Sequence, residues 1–79
     1  MKNIHDKMAS RGAEALDNAE LLTLLTEDAQ AARALLEAYD GSPARIAGES
    51  EARLRMVGGL GLKRARLLLA AAEFGRHAE

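Results

Sequence analysis

Residues 54–74 read LRMVGGLGLKRARLLLAAAEF, and this stretch decides the fold. After Gly61, the residues Ala65, Leu68, Leu69 and Ala72 recur at i, i+3, i+4 and i+7. That period belongs to an amphipathic helix and predicts one over about 62–76. Ahead of the glycines, Leu54 and Val57 mark the inner side of a shorter helix over about 51–57, with Ser50 as its N-cap. Gly58-Gly59-Leu60-Gly61 breaks the chain between them. A sharp turn between packed helices needs backbone angles that residues with a Cβ avoid, and glycine supplies them. Leu60 is expected to turn inward and fasten the loop. The small Ala65 lets the two helices approach closely.

Outward from this hairpin the chain keeps the same character. Asp17 followed three residues later by Glu20 forms an Asp variant of the capping box and opens a helix over about 18–25, with Leu21, Leu22 and Leu25 on one side. Thr26-Glu27-Asp28 is a polar break. A helix over about 28–39 follows, carrying Ala32, Leu35, Leu36 and Tyr39 inward, and Gly41 sits where a left-handed residue is expected. Ser42-Pro43 reads as an N-cap with Pro at the first helical position, starting a short helix that ends near Gly48. Residues 1–11 predict one or two helical turns or a frayed end. The expectation is one domain over residues 1–79, an all-α compact bundle of about five short helices. Two helix pairs flank a short connector, as in a degenerate internal duplication.

Composition agrees with helices. The chain has 79 residues, 48% hydrophobic and 29% charged. Tyr39 and Phe74 are its aromatics, and Val57, Ile4 and Ile46 its only Val or Ile residues, so the core must be Leu and Ala. Sheets draw on the β-branched and aromatic residues that are scarce here. With no Cys, disulfides, thiolate metal sites and a Cys nucleophile are excluded. The longest apolar run, Leu67 to Ala72, falls well short of the about 20 residues that span a membrane. No membrane partner is expected, and a cytoplasmic location is.

Net charge is −1, but unevenly spread. Residues 1–40 hold four basic and eight acidic residues (−4), residues 41–79 seven basic and four acidic (+3). Between Glu51 and Glu73 lie Arg53, Arg55, Lys63, Arg64 and Arg66 with no acid among them. Such a basic stretch either is ordinary solvated surface or binds a polyanion. The hairpin favours the anion. Bare glycines let a ligand approach the backbone, and a helix start offers unpaired N–H groups and partial positive charge. Lys63 and Arg64 in that first turn oppose the helix dipole, so an anion explains them better than helix stability does.

The segment resembles the helix-hairpin-helix motif, a DNA-binding element that does not read sequence. Together with Arg11-Gly12-Ala13-Glu14-Ala15-Leu16, Ala19-Glu20-Leu21-Leu22 and Ala71-Ala72-Glu73-Phe74-Gly75-Arg76, it makes the chain, from about residue 7 to 77, resemble the N-terminal domain of the RadC family. The resemblance implies an all-α domain of tandem helix-hairpin-helix-like units, in a family named for DNA repair. It also implies a following metalloprotease-like domain of the JAB/MPN type, whose His-x-His pair has no counterpart in these 79 residues, where only His5 and His77 occur. A second departure is that Thr26-Glu27-Asp28 replaces a glycine-bearing loop in the first hairpin. Acids there repel phosphate, so DNA binding is not carried onto that hairpin.

Other chemistry finds no support. His5 and His77 lack further ligands at metal spacing. Ser10, Ser42 and Ser50 lack a His partner, and Ser42 and Ser50 read as caps. The segment from Gly58 to Lys63 is not a P-loop, because its Gly-Lys-Ser/Thr ending is missing. No catalytic residue, metal or cofactor is expected. The reading is a sequence-independent DNA-backbone module acting with another domain or partner. Its site residues are Gly59, Gly61, Lys63 and Arg64, widened by Arg66, Arg53 and Arg55. Alone it should bind weakly, with Kd on the order of 10⁻⁴ M or looser at physiological salt and a log–log salt slope of roughly −2 to −4. The alternative is a protein-interaction or scaffold module whose acidic half, with Asp17, Glu20, Glu27, Asp28 and Glu37, meets a basic partner.

Overall fold

The computed structural model describes residues 4–78. It contains α1 (Ile4–Arg11), a 3-10 turn at Ala13–Ala15, α2 (Asn18–Thr26), α3 (Ala29–Ala38), α4 (Pro43–Ala47), α5 (Glu51–Gly58) and α6 (Leu62–His77). There is no strand among the described residues. The molecule is a small all-α domain, as the Leu/Ala composition requires. It has one helix more than the sequence led us to expect. That helix is α1, which occupies the segment read as a turn or two or a frayed end; residues 1–3 and 79 of the expected domain lie outside the described residues. The 3-10 turn has no counterpart in the sequence reading.

Side chains start the helices where the sequence placed the caps. The Glu20 amide donates to Asp17 Oδ1 at 2.8 Å and the Asp17 amide to Glu20 Oε1 at 3.0 Å, completing the capping box. Ser42 Oγ accepts from the Arg45 amide at 3.2 Å, with Pro43 as the first helical residue. Ser50 Oγ accepts from the Arg53 amide at 3.3 Å. Each such cap stabilises its helix by about 1 kcal/mol, because it satisfies an amide that has no partner within the helix.

Four helices close a ring in which α2 packs on α3 and α6, and α5 packs on the same two helices. The interior of the ring is Leu22, Ala31, Ala32, Leu35, Tyr39, Ile46, Leu54, Leu60, Ala65 and Leu68. Leu60 is buried, so it does pin the glycine loop to the core. Ala65 is fully buried where α6 meets the ring, as its small size allows. Burying each Leu contributes about 1.5–3 kcal/mol. Thr26 is also fully buried, and its hydroxyl donates to the Leu22 carbonyl at 2.7 Å, so no polar atom is stranded there.

Two carboxylates tie outer elements to the ring. Lys7 on α1, which buries no residue of its own, donates to Glu20 Oε1 at 2.9 Å. Glu49 accepts from the Tyr39 hydroxyl at 2.8 Å and lies 3.5 Å from Arg53. The Asp17 amide and then Lys7 lower the Glu20 pKa, and the Ser50 amide and then the Tyr39 hydroxyl lower that of Glu49. Burial, then the Glu49 carboxylate, raises the Tyr39 pKa. The sign follows by linkage. Depressed carboxylates stabilise the fold above the ordinary carboxylate range, and that stability is lost as pH falls through their lowered folded values. The raised phenol contributes below its ordinary value, and its share is lost as pH climbs through the folded one. Urea midpoints should therefore plateau near neutrality and drop at both extremes. With E20Q and E49Q combined, the acid-side drop should shrink. An unchanged acid limb in the double variant would remove these two carboxylates from the account.

Candidate nucleic-acid interface

The hairpin between α5 and α6 contains three glycines, one required by packing, one by its backbone angle and one by neither. Gly58 ends α5 against α3, and a Cβ there would stand 3.1 Å from Leu35 Cγ. Gly59 caps α5 in the left-handed region, at φ 68°. A side chain at such an angle costs roughly 1 kcal/mol. Gly61 needs neither freedom: its φ is −72° and a Cβ would meet nothing within 4 Å.

Gly61 is the N-cap of α6 and makes no side-chain cap. Asp17, Asp28, Ser42 and Ser50 each provide one for α2 to α5. Consequently the amides of Gly61, Leu62, Lys63 and Arg64 donate to no acceptor among the described residues. Gly61, Lys63 and Arg64 are exposed. Together with Leu62, Leu67 and Glu27 they line a cleft of about 330 Å³. An oxyanion of phosphate size fits the chemistry of this rim: unpaired N–H groups at the positive end of a helix, flanked by two cations.

The remaining site residues are not gathered there. Arg64 and Arg66 lie about 200° apart around the helix, at 3.6 residues per turn. Arg64 therefore faces α2, where its Nη2 donates to Glu27 Oε2 at 3.2 Å. Arg66 faces α5 and pairs with Glu51, while Arg53 pairs with Glu49 at 3.5 Å. Arg55 is exposed on α5, and neither it nor Lys63 has an ion pair among the described residues. Of the expected site residues, Gly61, Lys63 and Arg64 thus share one cleft, and Gly59, Arg53, Arg55 and Arg66 lie outside its lining. Nothing in the local pattern announced the part of Glu27, which meets the site across 37 positions of sequence.

The hairpin between α2 and α3 offers no comparable centre. Glu27 takes the left-handed position at φ 57°. Asp28 Oδ1 then accepts from the Gln30 and Ala31 amides at 3.0 and 3.1 Å. A carboxylate already fills the place that a phosphate would take.

The chain is similar to a UPF0758 protein. That relative, from Trichlorobacter lovleyi, is 36% identical over 80 aligned residues, which cover 90% of this chain. The alignment takes in only 35% of the relative, so this chain spans about a third of the protein it matches. UPF0758 designates the RadC family, the one resembled by residues 7–77. No family model and no solved structure matches the chain.

Proposed function

We propose that this chain is a non-enzymatic module that binds the DNA backbone without reading its sequence, in the manner implied by RadC-type N-terminal domains. One phosphate sits on the amides of Gly61, Leu62, Lys63 and Arg64, and the side chains of Lys63 and Arg64 close over it. The observation that carries this reading is Gly61. Neither its backbone angle nor its packing calls for glycine, and as an N-cap it leaves bare the Arg64 amide, whose counterparts Glu20, Ala31, Arg45 and Arg53 are each held by a side-chain cap in α2 to α5. Gly59 shapes the turn. Arg53 and Arg66 join the footprint only by exchanging Glu49 and Glu51 for phosphate, while Arg55 is free to add to it. One phosphate under Lys63 and Arg64 and a second met by Arg55 set a salt slope of roughly −2, the shallow end of the range expected from the sequence. So weak a site acts with a second module or partner, which raises its effective concentration on DNA.

The test is G61S. A serine at this N-cap would accept from the Arg64 amide and stabilise α6 by a few tenths of a kcal/mol over glycine. The same hydroxyl competes with phosphate. Losing one net hydrogen bond of about 0.5–1.5 kcal/mol lowers duplex affinity roughly three- to tenfold. Stability and affinity should therefore move in opposite directions. Unchanged affinity with a raised unfolding midpoint would show that the amides do not hold the ligand.

A second reading, protein docking, draws on a different surface. Leu21, Leu25, Pro43, Ala71, Ala72 and Gly75 line an apolar groove of about 470 Å³ between α2, α4 and α6. The acidic half supports that reading less than its charge suggests. Asp17 and Asp28 are used as caps, and Glu20 and Glu27 are paired with Lys7 and Arg64. A protein partner captured equally by wild type and by K63E/R64E, in the absence of DNA binding, would favour it.

A further inference from the structure

The loop of the first hairpin reaches into the cleft of the second. Glu27 lines that cleft beside Gly61, Lys63 and Arg64. Its Oε2 takes the Arg64 guanidinium at 3.2 Å. Among the described residues this is the one ion pair that joins the α2–α3 pair to the α5–α6 pair. Glu27 also holds a left-handed position that glycine would occupy without strain. The residue that closes the first hairpin is thus a carboxylate directed at the cation of the second.

We infer that Glu27 is an internal competitor for phosphate: its carboxylate occupies Arg64 and must be displaced when a phosphodiester binds at the start of α6. This rests on the proposed DNA-backbone reading and adds regulation of the same site. The competition is graded rather than absolute. Both side chains are well exposed, at 65% and 49%, and exposed pairs are weak and screened by salt. A DNA phosphodiester carries the same single charge as the carboxylate, but it also takes the free amides and arrives with the field of its neighbouring phosphates, so it wins on duplex DNA. The cost to affinity is a small factor, of the size by which binding is tuned rather than abolished.

The experiment measures duplex-DNA affinity at low salt for wild type, E27Q, R64Q, E27Q/R64Q, K63E/R64E and the control E37Q. Glutamine at 27 keeps the backbone and removes the charge. E27Q should bind roughly threefold more tightly than wild type, the effect of one exposed ion pair. In the R64Q background the same change should have little effect, because the cation it releases is gone. E37Q makes an equal change in net charge at an exposed position of α3, outside the lining of the cleft, and should stay close to wild type. If E27Q binds like wild type while K63E/R64E abolishes binding, the competitor role falls and the DNA-backbone reading stands. If E37Q gains as much as E27Q, net charge is the cause and the competitor role falls. If K63E/R64E binds like wild type, both fall.

Discussion

Reversing both cations at the start of α6, as K63E/R64E, should lower duplex-DNA affinity roughly 100-fold at low salt while leaving the domain folded. The magnitude comes from Coulomb's law. A unit pair at 4 Å in water is worth about 1 kcal/mol, and each reversal replaces an attraction with a repulsion. Two reversals give about 4 kcal/mol, cut by salt screening to about 3 kcal/mol, and each 1.4 kcal/mol is tenfold. At physiological salt, where binding starts near 10⁻⁴ M, such a loss takes it out of the measurable range. The fold should tolerate it because both residues are exposed and, among the described residues, the only ion pair lost is that of Arg64 with Glu27. Acids in a first helical turn also suit the macrodipole, by a few tenths of a kcal/mol each. Fluorescence anisotropy at two salt concentrations, beside a urea titration, checks both halves. Retained affinity in a folded variant would move the site elsewhere.

Truncating Leu35 should be the most damaging single change to stability. Leu35 has no exposed surface and stands on α3, which packs against both α2 and α5. Its side chain is also what Gly58 approaches: the Cβ position of that glycine lies 3.1 Å from Leu35 Cγ. L35A removes the apolar transfer energy and leaves a cavity that rigid neighbours cannot fill, a loss of about 2–5 kcal/mol. Domains of this length have only about 4–12 kcal/mol in total. At about 4–8 °C per kcal/mol, the thermal midpoint should fall by roughly 15–25 °C in a circular-dichroism melt. G58A attacks the same contact from the other side by overpacking, and about 1–3 kcal/mol is expected. A fall of less than 5 °C in L35A would mean that α3 is not the central wall of the ring.

Most of the fold was legible because it rests on local signals. Asp17, Ser42 and Ser50 sit directly before the helices they cap, and Leu60 between glycines has one economical place to go. The periodic Leu and Ala residues chose the buried side of each helix. The unforeseen parts depend on tertiary placement. Helix α1 buries nothing and is held by Lys7 reaching Glu20, a pairing across 13 positions that has no local pattern. The duty of Gly58 appears only when α3 is packed against it. Leu54 and Val57 announced α5, but not that its arginine Arg53 would be committed to Glu49.

The candidate site was legible in part for the same reason. Gly61, Lys63 and Arg64 are neighbours in sequence, and helix geometry alone sets them around one cleft, while Gly59 caps α5 outside its lining. Arg66 belongs to the same run of charge, yet two positions along a helix turn it to the far side, where Glu51 takes it. A count of cations therefore overstates the footprint. Glu27 was visible as an acid in a loop that disfavours phosphate, but its reach to the second hairpin was not. The similarity to part of a UPF0758 protein bears on the family resemblance alone.

The most direct measurement is a two-dimensional amide NMR titration with a short duplex at low ionic strength. The account predicts that shifts concentrate on Gly61, Leu62, Lys63 and Arg64, fade as salt is raised, and are the same for duplexes of unrelated sequence. The amides of Gln30 and Ala31, already held by Asp28, should stay still. Stationary signals at residues 61–64 with saturating DNA, or shifts gathered on the acidic α2–α3 side, would contradict it.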